Sequence, residues 1–192
     1  MKKIFWLMIW FPALVWSQEG NTRVAKGKFY LNASSLAQWS YITSGFGDFS
    51  NGESVYLLQA GGGYTVTDNW VAGLNVRLDH TNTWISKPKW LVGPFVRYYI
   101  PYRRVLFFMH GGMSYGTQNL ELDYVVGAPA GSSIHITYLN YEFMAGLAIP
   151  LNDYIHFDIM AGYDALTYKT DREHKITENW GMKWGFSVFL DK

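Results

Sequence analysis

Trp70-Val71-Ala72-Gly73-Leu74-Asn75-Val76-Arg77-Leu78-Asp79 decides the fold. The even positions are apolar or small, and the odd ones include Asn75, Arg77 and Asp79. A period of two places those sets on opposite faces of a strand. The same alternation recurs in segment after segment, almost to the last residue. A soluble sandwich would turn its apolar face to a shared core, but here the polar face is too charged and the apolar face too aromatic. The expectation is an all-β chain folded as an eight-stranded antiparallel up-and-down transmembrane β-barrel, lipid outside and a polar lumen within.

The pattern predicts strands over 28–39, 54–66, 70–81, 89–100, 104–118, 134–149, 154–169 and 179–190. Each reaches the ~9–11 residues that a tilted strand needs to cross a bilayer. The connections alternate in length. Three are tight, at Thr67-Asp68-Asn69, Pro101-Tyr102-Arg103 and Leu151-Asn152-Asp153, and are built from turn-forming residues. Four are longer, at 40–53, 82–88, around 127–133 and 170–178. Barrels of the bacterial outer membrane sort their connections this way, short on the periplasmic side and long outside. That order places both termini in the periplasm. Alternation resumes at 119–124 and is answered at 134–138 across a Gly- and Pro-containing turn, which reads as a protruding hairpin. An extra pair of spanning strands is the alternative, but neither half is long enough.

Residues 1–17 read as a secretory signal: Lys2 and Lys3, an apolar run from Ile4 to Trp16, then Val15-Trp16-Ser17 at the cleavage point. Residues 18–192 then form one domain of about 175 residues. With 0 Cys, disulfides, a lipidated cysteine and thiolate metal sites are excluded. Aromatics make up 18% of the chain, which suits interfacial girdles. Trp70, Tyr98, Tyr99, Tyr102 and Tyr154 fall near the short turns. Trp39, Trp84, Trp90, Tyr115, Tyr138, Tyr168 and Trp180 fall near the long loops. The net charge of +1 offers no field for nucleic acid, and none is expected as a partner.

Three stretches now carry a resemblance: Gly61-Gly62-Gly63-Tyr64 through Asp68-Asn69-Trp70, Gly93-Pro94-Phe95-Val96-Arg97-Tyr98-Tyr99, and Ala145-Gly146-Leu147-Ala148-Ile149-Pro150 through Asn152-Asp153-Tyr154. The chain resembles the small OmpA/OmpX-type outer-membrane barrels, the outer-membrane protein β-barrel domain family. The resemblance covers nearly all of the mature chain and implies the architecture without a shared reaction. It implies an integral, multi-pass outer-membrane protein amid lipid and lipopolysaccharide, assembled by the barrel assembly machinery. The last strand fits, with Trp180, Met182, Trp184, Phe186, Val188 and Leu190 on one face, although Leu190-Asp191-Lys192 displace the usual terminal aromatic. Unlike two-domain members, the sequence ends at the barrel, so anchoring to peptidoglycan is not expected.

Parity assigns Asn32, Gln59, Asn75, Arg77, Asp79, Arg97, His110, Glu142, His156, Asp158 and Lys183 to the lumen. Charges there must be paired, because a lone buried charge is very costly. Arg77, Arg97 and Lys183 are matched with Glu142 and Asp158, with Asp79 near the rim. A simple register about the turn at 151–153 sets Glu142 opposite Gly162 and Asp158 opposite Gly146. The group reads either as a switchable gate in a narrow channel or as a static plug, and the usual filled interior of eight-stranded barrels favours the plug. His110, His156 and Asp158 include metal-ligand types, but alternation alone explains their spacing, so no metal or cofactor is expected. Ser114 lies four residues from His110, about 13 Å along a strand and too far for a nucleophile–base pair. His80, Ser86 and His174 near the outer loops form no recognisable catalytic grouping. The chain is therefore read as a non-enzymatic surface scaffold, ahead of a gated pore and a lipid-modifying enzyme. Phe46 and Phe49 in the first loop, Trp84, and Leu120, Tyr124 and Ile136 of the hairpin are its candidate contacts with a surface protein. Sugar stacking on Trp39, Trp84 and Trp90 is the rival role for those rings.

Overall fold

The computed structural model describes residues 24–39, 55–81, 89–121, 133–169 and 174–191. The leader, Phe46, Phe49, Trp84, Ser86 and Tyr124 lie outside the described residues, as does the side chain of Leu120. Eight strands form one closed antiparallel barrel: β1 (Phe29–Trp39), β2 (Val55–Thr67), β3 (Trp70–Thr81), β4 (Lys89–Tyr102), β5 (Val105–Glu121), β6 (Ser133–Pro150), β7 (Ile155–Lys169) and β8 (His174–Leu190). Each strand pairs with its sequence neighbours, and β1 closes on β8 from Phe29 opposite Leu190 to Trp39 opposite Trp180. No edge is left open, as hydrocarbon, which offers no hydrogen bonds, requires.

The first and third tight turns use the residues that the sequence suggests, whereas the second is set at Arg103 and Arg104, with Pro101 and Tyr102 still paired in β4. Asn69 takes a left-handed conformation (φ 66°) between β2 and β3, which Asn tolerates better than most residues. After β6, the Asn152 side-chain oxygen accepts from the backbone N–H groups of Tyr154 and Ile155, both at 2.8 Å. Ahead of β1, the chain tucks under the β2–β3 turn. Asn69 N–H donates to Val24 O (2.9 Å), Gly27 N–H donates to Thr65 O (3.0 Å), and Val24 is buried.

Several strand ends differ by a few residues from expectation, most of all the start of β8, and the expected hairpin is seen in part. Strand β8 begins at His174 rather than 179, because alternation runs on through Ile176, outside, and Asn179, inside, despite the charged stretch before them. Strands β5 and β6 stay paired as far as Glu121 and Ser133, whereas β6 meets β7 only up to Thr137 opposite Lys169. The described part of the hairpin therefore overhangs its β7 neighbour.

The barrel is inside-out relative to a soluble domain. Leu74, Met109, Phe143 and Trp180 project outward at 60–69% exposure, while Arg97 and Lys183 face inward at 0–1%. Lipid-facing apolar residues around a polar interior are the arrangement of a barrel built to cross a bilayer. Trp70, Tyr102 and Tyr154 point outward at the tight-turn end, and Trp90, Tyr115 and Trp180 are also outward. Three girdle assignments need correction: Tyr99 and Tyr138 are buried in the lumen, and Tyr168 packs against Tyr138. Parity puts the odd positions of β4 and the even positions of β6 and β7 inside, and at those heights the rings close the lumen.

Two apolar clusters lie inside. Toward the tight-turn end, Val24, Tyr30, Tyr99, Phe108, Phe189 and neighbours form a floor. Toward the long connections, Leu91, Ile136 and Tyr138 form a smaller cluster with Leu166 and Tyr168. Ile136, expected as a surface contact, is 9% exposed and turned inward, since it stands on the lumenal parity of β6.

Candidate functional site: the lumenal charge network

Every residue that parity assigned to the lumen is buried there. Between the two apolar clusters the charged ones join with Gln59 and His110 into one network. Arg97 is its lower node. Its Nη1 donates to Asp158 Oδ2 at 2.6 Å, to Tyr99 Oη at 3.2 Å and to Ser187 Oγ at 3.3 Å. Ser187 Oγ also donates to Asp158. The guanidinium lies over the Phe108 ring, 4.3 Å from its centroid, with Tyr30 at 5.5 Å and Tyr99 at 5.9 Å. The positive charge is thus held by one carboxylate and by the negative faces of three rings.

His110 links the lower node to the upper one. Arg97 Nε makes a long contact of 3.4 Å to Nδ1, and an arginine nitrogen can only donate. A neutral ring then carries its proton on Nε2, which donates to Glu142 Oε1 at 2.6 Å. Glu142 also accepts from Gln59 Nε2 (2.9 Å) and pairs with Lys183 Nζ, which donates to Gln59 Oε1 at 2.8 Å as well. Gly112, directly across the β5–β6 pair, gives this carboxylate its room: a Cβ there would stand 3.2 Å from Glu142 Cγ.

The upper node is Arg77. It holds Asp79 at 2.7 Å and Asp164 at 2.5 Å, and Lys183 stands 4.0 Å from Asp164. Asn140 Nδ2 donates to Asp164 Oδ1 at 3.2 Å. Asp79, expected near the rim, is 5% exposed and faces Lys89 across β3–β4, while the Lys89 ammonium stands 5.2 Å from the centre of the Tyr138 ring. Arg77, Lys89, Arg97 and Lys183 thus balance Asp79, Glu142, Asp158 and Asp164 among the described residues of this network. Buried charges persist only when matched and hydrogen-bonded, and Arg77, Arg97, Lys183 and the four carboxylates are.

The five expected gate residues are therefore brought together, but the pairing is different. Strand β6 runs to Pro150 and the turn spans 151–154, so the register is shifted by two. Glu142 faces Asp164, and Asp158 faces Ala148. Asp164 and Lys89, which complete the balance, were missed in the sequence. Both stand on the lumenal parity of their strands, so that signal was present. Ser187, Asn140, Tyr30 and Tyr99 were also missed as network partners. Ser114 Oγ donates to Asn75 Oδ1 at 2.9 Å, not to a histidine. His156 is buried with its ring 5.0 Å from that of Phe189. No group of three or more His, Cys, Asp and Glu suited to a metal ion occurs among the described residues.

No family model matches the sequence, and no curated protein does. Among solved structures the chain is similar to Neisserial surface protein A, with a TM-score of 0.54 and 13% identity over 84% of this chain and 95% of that one. It is also similar to the outer membrane protein W of E. coli, with a TM-score of 0.51 and 13% identity over 85% of this chain and 98% of that one. Identities this low speak for the fold alone. The chain thus has the fold of the small outer-membrane β-barrels, and its interior is closed around a charge-balanced network.

Proposed function

We propose that this protein is a non-enzymatic scaffold of the bacterial outer membrane, exported by a leader cleaved after Ser17. In this reading its lumen is shut and its long connections meet partners at the cell surface. One observation carries it: the interior is filled in three layers, an aromatic floor, a charge-balanced ion-pair network and an apolar upper cluster. A conducting pathway would have to break several buried ion pairs at once. Truncating one partner of such a pair costs roughly 3–5 kcal/mol. Both termini and the tight turns belong on the periplasmic side, with lipopolysaccharide and a surface protein around the opposite end. Biogenesis would run through the barrel assembly machinery.

The test is single-channel recording from the refolded protein in a planar bilayer, with folding shown separately. A silent bilayer is expected. Discrete steps that change with Glu142→Gln would replace the scaffold with the gated pore. For the surface role, deleting residues 120–136 should abolish partner binding while leaving the barrel folded. Binding that survives this deletion would remove the hairpin from the proposal.

A further inference from the structure

The floor of the lumen is not made by the wall alone. Val24 stands ahead of β1, yet it is buried in the floor cluster, whose other described members all lie on strands. It arrives there on a short strap. At the base of the strap, Lys28 carries the β1–β2 ladder one step past Phe29: Thr65 N–H donates to Lys28 O (2.9 Å) and Gly27 N–H to Thr65 O (3.0 Å). The Lys28 ammonium is also paired with Asp191 (3.1 Å), so the base is fixed. At Gly27 the chain turns off the ladder, with φ 94°, a left-handed conformation that a side chain would strain. Beyond it, Lys26 N–H donates to Asp68 Oδ1 (3.0 Å) and Val24 O accepts from Asn69 N–H (2.9 Å).

Seating this strap has opposed consequences. It removes the Val24 side chain from water, which favours the seated form. It also packs the chain onto Thr65 and Asn69, the two residues it bonds through the backbone, and their side-chain oxygens, Thr65 Oγ1 and Asn69 Oδ1, are buried without a hydrogen-bond partner. A dry polar atom costs an amount comparable to what one buried Val side chain gains. The seated and lifted forms are therefore close in free energy, whereas the continuous ladders of the wall are not open to such a balance. A terminal segment held by isolated hydrogen bonds opens locally, far below the cost of global unfolding.

We propose that Val24–Lys26 is a hinged plug, pivoting at Gly27, that opens the tight-turn end of the lumen while the barrel stays closed. Seated, it completes the floor beneath the Arg97–Asp158 pair. Lifted, it exposes the lumen as far as His156, which faces inward on β7 with its ring 5.0 Å from that of Phe189 in the floor. His110, held between Arg97 and Glu142 above, stays covered. The lower lumen thus becomes a pocket open at one end and not a channel. The ion pairs and the upper cluster still bar conduction, so the plug is independent of what the long connections bind.

The experiment is acylation of histidines by diethyl pyrocarbonate in the folded protein in detergent micelles, read peptide by peptide by mass spectrometry. Gly27→Ala disfavours the seated turn and should raise the rate at His156 about tenfold, with the rate at His110 unchanged. Deleting residues 18–27 should raise it further. The chain has no cysteine of its own, so a disulfide between Lys26→Cys and Asp68→Cys can lock the strap. The locked form should react at His156 more slowly than the parent chain, and reduction should restore the rate. Equal His156 rates in these variants, each shown to be folded by heat-modifiable migration on a gel, would overturn the proposal. So would His110 and His156 rising together, because the wall itself would then be loosening. Failure of Gly27→Ala to fold would overturn it as well, since the strap would then be a structural part of the wall.

Discussion

At the scale of single residues, the lumen is organised by charges that have no other place to go. Lys183 is 1% exposed and reaches Glu142, Gln59 and, more distantly, Asp164. Lys183→Met keeps the bulk but leaves the Glu142 carboxylate without its ammonium. It should destabilise the barrel by roughly 3–5 kcal/mol, measured as urea unfolding in lipid bilayers. Lys183→Met combined with Glu142→Gln should recover most of that loss, because no buried ion is then left unmatched. An uncorrected double variant would mean that the pair contributes by shape and not by charge. On the outer face the sign reverses. Leu74, 60% exposed, faces hydrocarbon, and Leu74→Arg should cost roughly 2–4 kcal/mol near the bilayer midplane. Equal refolding stability of this variant and wild type in bilayers would contradict the membrane-facing assignment.

At the scale of elements, strand faces were legible in the sequence and strand register was not. Period two needs only local composition, so all eleven residues assigned to the lumen by parity are buried there. Register depends on the length of a turn, and a shift of two leaves parity untouched. Glu142 opposite Gly162 and Glu142 opposite Asp164 satisfy the same alternation, and only the four-residue turn at 151–154 separates them. Tyr99, Tyr138 and Tyr168 failed for another reason. A ring with a hydroxyl suits both a membrane interface and the mouth of a polar lumen, so height along the barrel does not place it and parity does. The charge network was legible in part. Arg77, Arg97, Glu142, Asp158 and Lys183 stood out, whereas Asp164 and Lys89 became its members only once neighbouring strands were aligned. The turns carry their own prediction. Asn69 sits at positive φ, and Asn69→Ala should cost about 1 kcal/mol in the same unfolding assay. Asn69→Gly should be close to neutral, and a loss as large as that of Ala would mean that the side chain, not the backbone angle, matters there.

At the scale of the whole molecule, the lumen is layered, and the proposed closed state rests on that layering. Its centre is polar, yet the charged groups are paired with one another and roofed at both ends by apolar residues. The closing seam has a separate meaning. Strand β1 bonds to β8, and Lys28 pairs with Asp191 at 3.1 Å. The two ends of the cylinder wall are therefore stitched side by side, and the identity of the first and last staves is a matter of where the polypeptide happens to be cut. Linking the termini through a few flexible residues and opening the chain within 122–132 should give a rearranged sequence with the same wall. Heat-modifiable migration on a gel would report it: the permuted chain, like the parent, should run as a compact species until boiled. A chain halted before β8, by contrast, would leave unpaired backbone on both sides of the gap, with no partner for it in hydrocarbon.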